Sequence, residues 1–248
     1  MSKISGLVEK ASEVRRQTLD HKPSEVIEAY LTHYNAWLIS SHSTGVGVIW
    51  LNTVFECSVL AETSLFLSVH GFYESANATL RGLLDIFLTG LHWDISKELG
   101  RIAEYELNGR TTNDYALWAL GLGVKYPSLS KEIWPTLLAN DHIRGYDARY
   151  YLRSETEALL AVLNRFVHGR PESRTYDGAF RGSTLNVLFV GHLLEDWLRN
   201  TKAVSDLVFI FSTLRYPFLI DSEITASYRE RDASLVARVK EHIEENAA

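Results

Sequence analysis

The sequence has little of what usually punctuates or staples a fold. Its 248 residues include a single cysteine, Cys57, which excludes an intramolecular disulfide and a structural zinc site built from thiolates. A reducing cytoplasmic setting fits such a chain best. Proline occurs only five times, at positions 23, 127, 135, 171 and 217, so long stretches lack the residue that most strongly stops a helix. Positive charge is in deficit. Against 31 Asp and Glu stand 25 Lys and Arg, a formal net charge of −6, so no global field draws the protein to nucleic acid or anionic lipid. Any RNA contact must come from a local basic patch. Long apolar runs are missing too: the most apolar stretches, 80–91 and 203–214, are broken by Arg81, Asp85 and Asp206 and fall short of a membrane span. Residues 1–16 scatter charges where a secretion signal needs an apolar core. There is no Gly-x-x-x-x-Gly-Lys loop, Gly-x-Ser-x-Gly elbow or Gly-x-Gly-x-x-Gly turn, which sets aside the phosphate-loop, serine-hydrolase and dinucleotide chemistries that those motifs serve. No cofactor is expected. His70, Glu74 and His92 are the nearest approach to a ligand set, but no Glu-x-x-His pair of the di-iron type accompanies them, so no metal is expected either.

What the chain does have is apolar surface: 46% hydrophobic residues, with 12 Tyr, 10 Phe and 6 Trp. Such surface is normally spent on packing. Ile4, Leu7, Val8, Ala11 and Val14 recur at helical spacing, and Pro23-Ser24 opens a second helix carrying Val26, Ile27, Tyr30, Leu31, Tyr34, Trp37 and Leu38. From Val46 to about Asp94 the sequence is apolar nearly all round, the pattern of central helices, with Gly71 separating two of them. Gly109, Gly121, Gly123 and Pro127 predict shorter helices between Gly100 and Pro135. Ser154 and Glu157 form a capping-box pattern for a helix ending at Gly169 before Pro171. After a polar loop, 170–182, one or two long helices fill 183–216. Leu235, Val236, Val239 and Ile243 mark an amphipathic helix in an otherwise charged tail. The expectation is an all-α fold: a compact multi-helix bundle with long central helices and a peripheral amphipathic C-terminal helix, in one domain over 1–248.

Two polar constellations stand out. On the helix predicted over 155–168, Leu159, Leu160, Val162, Leu163, Phe166 and Val167 share one half, and Asn164, Arg165 and His168 the other. This is either a solvated face with a C-terminal His suited to the helix dipole, or an active-site face. In the second case Arg would hold phosphate with its forked donors, and His, titrating near neutral pH, would transfer protons. The other constellation is Glu74, Asn77, Arg81, Asp85 and His92, with His70 just upstream, all within one narrow sector of a continuous helix. It is either a salt-bridge ladder around Arg81 or a seam facing Arg165 and His168. A third reading is a small-molecule pocket lined by Trp50, Trp93 and Trp118, whose plainer role is core packing.

The segments Gly71-Phe72-Tyr73 through Leu80-Arg81-Gly82-Leu83-Leu84-Asp85 and Leu163-Asn164-Arg165-Phe166-Val167-His168-Gly169 resemble the HEPN-like helical families, which include abortive-infection and toxin-type proteins of bacterial antiviral defence. The resemblance rests on short motifs and implies a helical core over about 46–217, with 218–248 as the peripheral helix. Members are often dimeric, and the active ones are metal-independent ribonucleases that use an Arg and a His of one helix. Carried over, Arg165 and His168 would be catalytic, Asn164 would orient phosphate or His168, and Arg81, Asp85 and Glu74 would support them. Two residues separate Arg165 from His168, a shorter interval than in active members. Inactive branches serve as binding or regulatory modules. The implied partners are RNA and a second copy or another protein, with a composite site if two copies pair along 155–168.

Overall fold

The computed structural model describes residues 3–41, 45–122, 125–167 and 188–246, and among these the chain is all-α save for one small hairpin. The scarcity of proline leads directly to long helices: α1 (Lys3–His21), α2 (Pro23–Ser41), α3 (Val48–Val69) and α4 (Tyr73–Glu98). Pro23 sits in the first turn of α2, where a missing N–H costs nothing. Gly71 does separate α3 from α4, and it must be glycine. Its φ is +82°, and a Cβ there would lie 2.8 Å from the Leu188 carbonyl oxygen and from Val14.

Where short helices are expected after Gly100, the chain first forms a β-hairpin: β1 (Glu104–Leu107) pairs antiparallel with β2 (Arg110–Asn113), Glu104 opposite Asn113 and Leu107 opposite Arg110. Its turn is Asn108-Gly109, both at positive φ, the sequence signature of a two-residue hairpin. Asn113 then caps α5 (Asp114–Ala119), its side chain accepting the Ala116 N–H at 2.9 Å. A π-turn over Leu129–Ile133 runs into α6 (Trp134–Leu137), followed by α7 (Asp141–Tyr150), α8 (Leu152–Val167) and α9 (Gly191–Arg215). A 3-10 turn at Pro217–Asp221 leads to α10 (Glu223–Arg231) and α11 (Ala233–Glu245).

The capping box predicted at Ser154 is not used, because α8 starts two residues earlier. Tyr151, at φ +57°, closes α7, and the Asp147 carboxylate accepts the Arg153 N–H at 2.6 Å. The predicted stop at Gly169–Pro171, the 170–182 loop and the start of the next segment at 183 lie outside the described residues.

Two long helices, α4 and α9, run through the core. Leu80, Leu83, Leu84 and Phe87 meet Trp197, Val208 and Phe211 in one buried cluster, with Trp50 and Trp134 packed in. A polar joint fixes three helices: Trp197 Nε1 donates to Ser64 Oγ at 2.9 Å, and that hydroxyl donates to the Ala76 carbonyl at 2.9 Å. The closest approach is between α3 and α4, where a Cβ on Gly90 would fall 2.0 Å from Thr53 Oγ1. One expectation needs correcting here. α3 is apolar all round but not enclosed, and Val48, Phe55, Val59 and Phe66 face outward.

The C-terminal helix docks on the body. Leu235, Val236, Val239 and Ile243 of α11 are buried, and His242 Nε2 lies 2.9 Å from the His142 carbonyl. Asp232 both caps α11 and accepts from Lys202, which also bridges to Asp206. No helix among the described residues is long and apolar enough to cross a membrane.

Burial also creates a pH liability. His33 of α2 is enclosed against α9, with Nδ1 3.3 Å from Ser205 Oγ, and burial pushes its pKa down to about 4. Between about pH 6.5 and that value the unfolded chain binds a proton that the folded chain refuses. Stability contributed by neutral His33 is therefore complete above pH 6.5 and lost as pH falls toward 4, by about 3 kcal/mol in all. Urea titrations of wild type and His33→Leu across this window should show the variant with a flatter pH dependence. Parallel curves would assign the acid sensitivity to another group.

Candidate functional site

α4 carries its polar residues along one side, but the neighbour that side meets changes along its length. His70 is not part of the stripe. It ends α3, where Nδ1 lies 2.7 Å from the Phe66 carbonyl, because the turn at Gly71 breaks the continuous helix assumed from the spacing. Glu74 is half-buried in the first turn of α4. Asn77 is buried against α9: its amide donates to the Tyr73 carbonyl at 2.9 Å, and its oxygen accepts from Asn200 at 2.7 Å. His92, at the far end, packs edge-on against Trp93 near Glu132, and burial lowers its pKa. Asn77 and His92 are thus packed against different neighbours, α9 for the one and Trp93 with Glu132 for the other.

The middle of the stripe behaves differently. Arg81 Nε donates to Asn164 Oδ1 of α8 at 2.8 Å, and the same guanidinium pairs with Asp85 one turn on. This joins the two constellations across the α4–α8 contact, bringing Arg81, Asp85 and Asn164 together. Arg81 is mostly covered, and Asp85 compensates its charge. Arg165, next in chain to Asn164, is exposed, and its side chain has no ion pair or hydrogen bond among the described residues. His168 lies outside the described residues.

One neighbour of this junction is not indicated by any spacing rule. Half of Tyr126 is exposed, but its phenol end sits beside Thr89, Asp85 and Arg81, where desolvation pushes its pKa up to about 12. It reaches the junction from the irregular chain after α5, held edge-on by Trp118 at 5.8 Å. At neutral pH it is a phenol, able to donate a hydrogen bond at the edge of the junction.

A second polar cluster, also absent from the sequence reading, closes the other end of α4. Asp94, 4% exposed in its side chain, accepts from Arg215 Nε at 2.7 Å and from the Tyr216 hydroxyl at 2.9 Å. Arg215, 10% exposed, also pairs with Glu98 and lies 4.9 Å above the Tyr216 ring. A cavity of about 520 Å³ opens beside it, lined by Gly47, Lys97, Arg215, Tyr216 and Phe218. The acids here already hold the arginine, so the cluster reads as a clamp between α4 and α9.

The three tryptophans have separate surroundings. Trp50 packs on Phe87 and Tyr216, Trp93 on His92, and Trp118 on Tyr115 and Tyr126. Trp50 and Trp93 are core residues, which favours packing over a common pocket. Among the described residues no group of three His, Cys, Asp or Glu side chains is placed to hold a metal ion. Compared with family models, with curated proteins and with solved structures, the chain matches none of them.

Proposed function

We propose that the α4–α8 junction handles phosphate and that the chain is a metal-independent ribonuclease of a bacterial defence or toxin-type system, as its HEPN-like resemblance implies. The observation that carries this reading is the bond from Arg81 to Asn164, beside Arg165, whose side chain is exposed and has no acidic partner among the described residues. Asp85 neutralises Arg81, so Arg81 serves to fix Asn164, and the positive charge offered to a ligand is that of Arg165 beside it. Asn164 spends its oxygen on Arg81, which turns its amide N–H groups toward other acceptors such as a phosphate oxygen. Arg165 stabilises charge building on the phosphorane, and His168 moves the proton of the attacking 2′-hydroxyl or of the leaving oxygen. Glu74, with Arg81 and Asp85, supports the site from α4.

The test is cleavage of labelled total RNA by purified protein with chelator present, beside Arg165→Ala and His168→Ala. Cutting by wild type that falls at least about 100-fold in each variant is the expected result. Equal background from all three folded proteins overturns the reading. It would leave the second one, a non-enzymatic interaction protein, which the uncovered apolar side of α3 favours.

A further inference from the structure

The clamp at the far end of α4 has an inner carboxylate and an outer one, and the two are held very differently. Asp94 is buried between Arg215 Nε and the Tyr216 hydroxyl, so it is committed to the fold. Glu98 is not. Its side chain is 62% exposed, and it reaches the terminal nitrogen Nη1 of the same guanidinium at the cavity that both residues line. An ion pair with one arm in water holds weakly, whereas breaking a buried one is costly. The outer arm is therefore exchangeable.

What remains when Glu98 swings away is a receptor for another carboxylate. Asp94 takes Nε and fixes the guanidinium, which leaves the two terminal nitrogens as a parallel pair of donors matched to a carboxylate end-on. The charges then set the class of ligand. Besides Arg215 the cavity is lined by Lys97, exposed and with no ion pair among the described residues, so without Glu98 one acid faces two bases, a net charge of +1. That suits a monoanion, and a phosphate dianion would overcompensate it beside a buried acid. The apolar wall is Phe218, whose ring is half-exposed and lies 5.8 Å from the Tyr216 ring, itself 4.9 Å from the guanidinium carbon. One small molecule reaches both. The volume, about 520 Å³, falls within the range of about 300–1,000 Å³ usual for small-molecule sites. Glycine at 45 and 47 preserves this space: a Cβ on Gly45 would fall 3.0 Å from Phe218 Cζ, and one on Gly47 3.1 Å from Asp94 Oδ1.

We propose that this cavity binds a small aromatic carboxylate, whose acid group takes the place of Glu98 on Arg215 and whose ring stacks on Phe218. Glu98 is then an internal competitor that fills the anion position until a ligand arrives. The site does not depend on the ribonuclease reading, which concerns a different stretch of α4.

The test is isothermal titration calorimetry of the full chain with benzoate at constant ionic strength, with acetate and inorganic phosphate as comparison anions. Arg215 is left in place, because its loss would strand Asp94. Wild type is expected to bind benzoate saturably and at least about 10-fold more tightly than either of the others, since acetate lacks the ring and phosphate carries a second charge. Glu98→Gln removes the competing charge from an exposed side chain and should bind benzoate at least about 5-fold more tightly than wild type. Phe218→Ala should bind it about 10-fold more weakly, with helix content by circular dichroism unchanged because the ring is half-exposed. Absence of saturable binding in both wild type and Glu98→Gln, equal affinity in those two proteins, full affinity in Phe218→Ala, or phosphate bound as tightly as benzoate would each overturn the proposal.

Discussion

Gly90→Ala is expected to lower folding stability by about 3 kcal/mol or more, a large loss for the addition of one methyl group. The added Cβ would sit 2.0 Å from Thr53 Oγ1, 2.3 Å from its Cγ2 and 2.6 Å from its Cβ. Those atoms belong to a buried β-branched side chain on α3, whose Oγ1 donates to the Ile49 carbonyl at 2.8 Å. The side chain has little freedom to turn away, so the two helices themselves must separate. Gly82, on the same helix, has nothing within 4 Å of its Cβ position. Gly82→Ala should therefore stabilise by about 0.5–1 kcal/mol through helix propensity alone. Urea denaturation of the two variants gives opposite signs if the crossing is as close as described. Equal, small effects would mean that α3 and α4 are farther apart.

Arg215→Met should cost about 3–5 kcal/mol, because among the described residues it leaves the buried Asp94 carboxylate with only the Tyr216 hydroxyl as a side-chain donor. The partner substitution distinguishes desolvation from simple loss of a bond. Arg215→Met combined with Asp94→Leu removes the stranded charge along with its partner and is expected to recover much of the deficit. If the single variant lost no more than the 1 kcal/mol or so of a surface pair, Asp94 would have to be in contact with water.

The helices were legible where local chemistry decides. Pro23, Gly71 and the α11 stripe each act through their own backbone or their own face, and each stands where the spacing puts it. The hairpin at Asn108-Gly109 carries its own signal, but the surrounding glycines and the helical context are equally compatible with short helices. Apolarity on both sides of α3 implies a central helix, but periodicity cannot say whether its cover comes from the same chain. The α4 stripe shows a related limit. Side chains aligned on one face share a direction but not a neighbour, so Asn77 meets α9, Arg81 meets α8, and His92 lies near Glu132. Of the candidate site, Arg81, Asp85 and Asn164 come together across the α4–α8 contact. Tyr126 and the Asp94–Arg215 clamp depend on contacts between segments far apart in sequence, which no spacing within a segment encodes.

The clamp also has a consequence in time. Asp94 and Arg215 are 121 positions apart, which a ribosome covers in about 6–24 s at about 5–20 residues per second. During that interval α3 and α4 have emerged and can pair through their local contacts, while the arginine that neutralises Asp94 has not yet been made. A carboxylate without its partner resists leaving water. The far end of α4 is thereby kept wet in the nascent chain, reserved against apolar segments that arrive earlier, until a helix carrying a guanidinium at the right position is delivered to it.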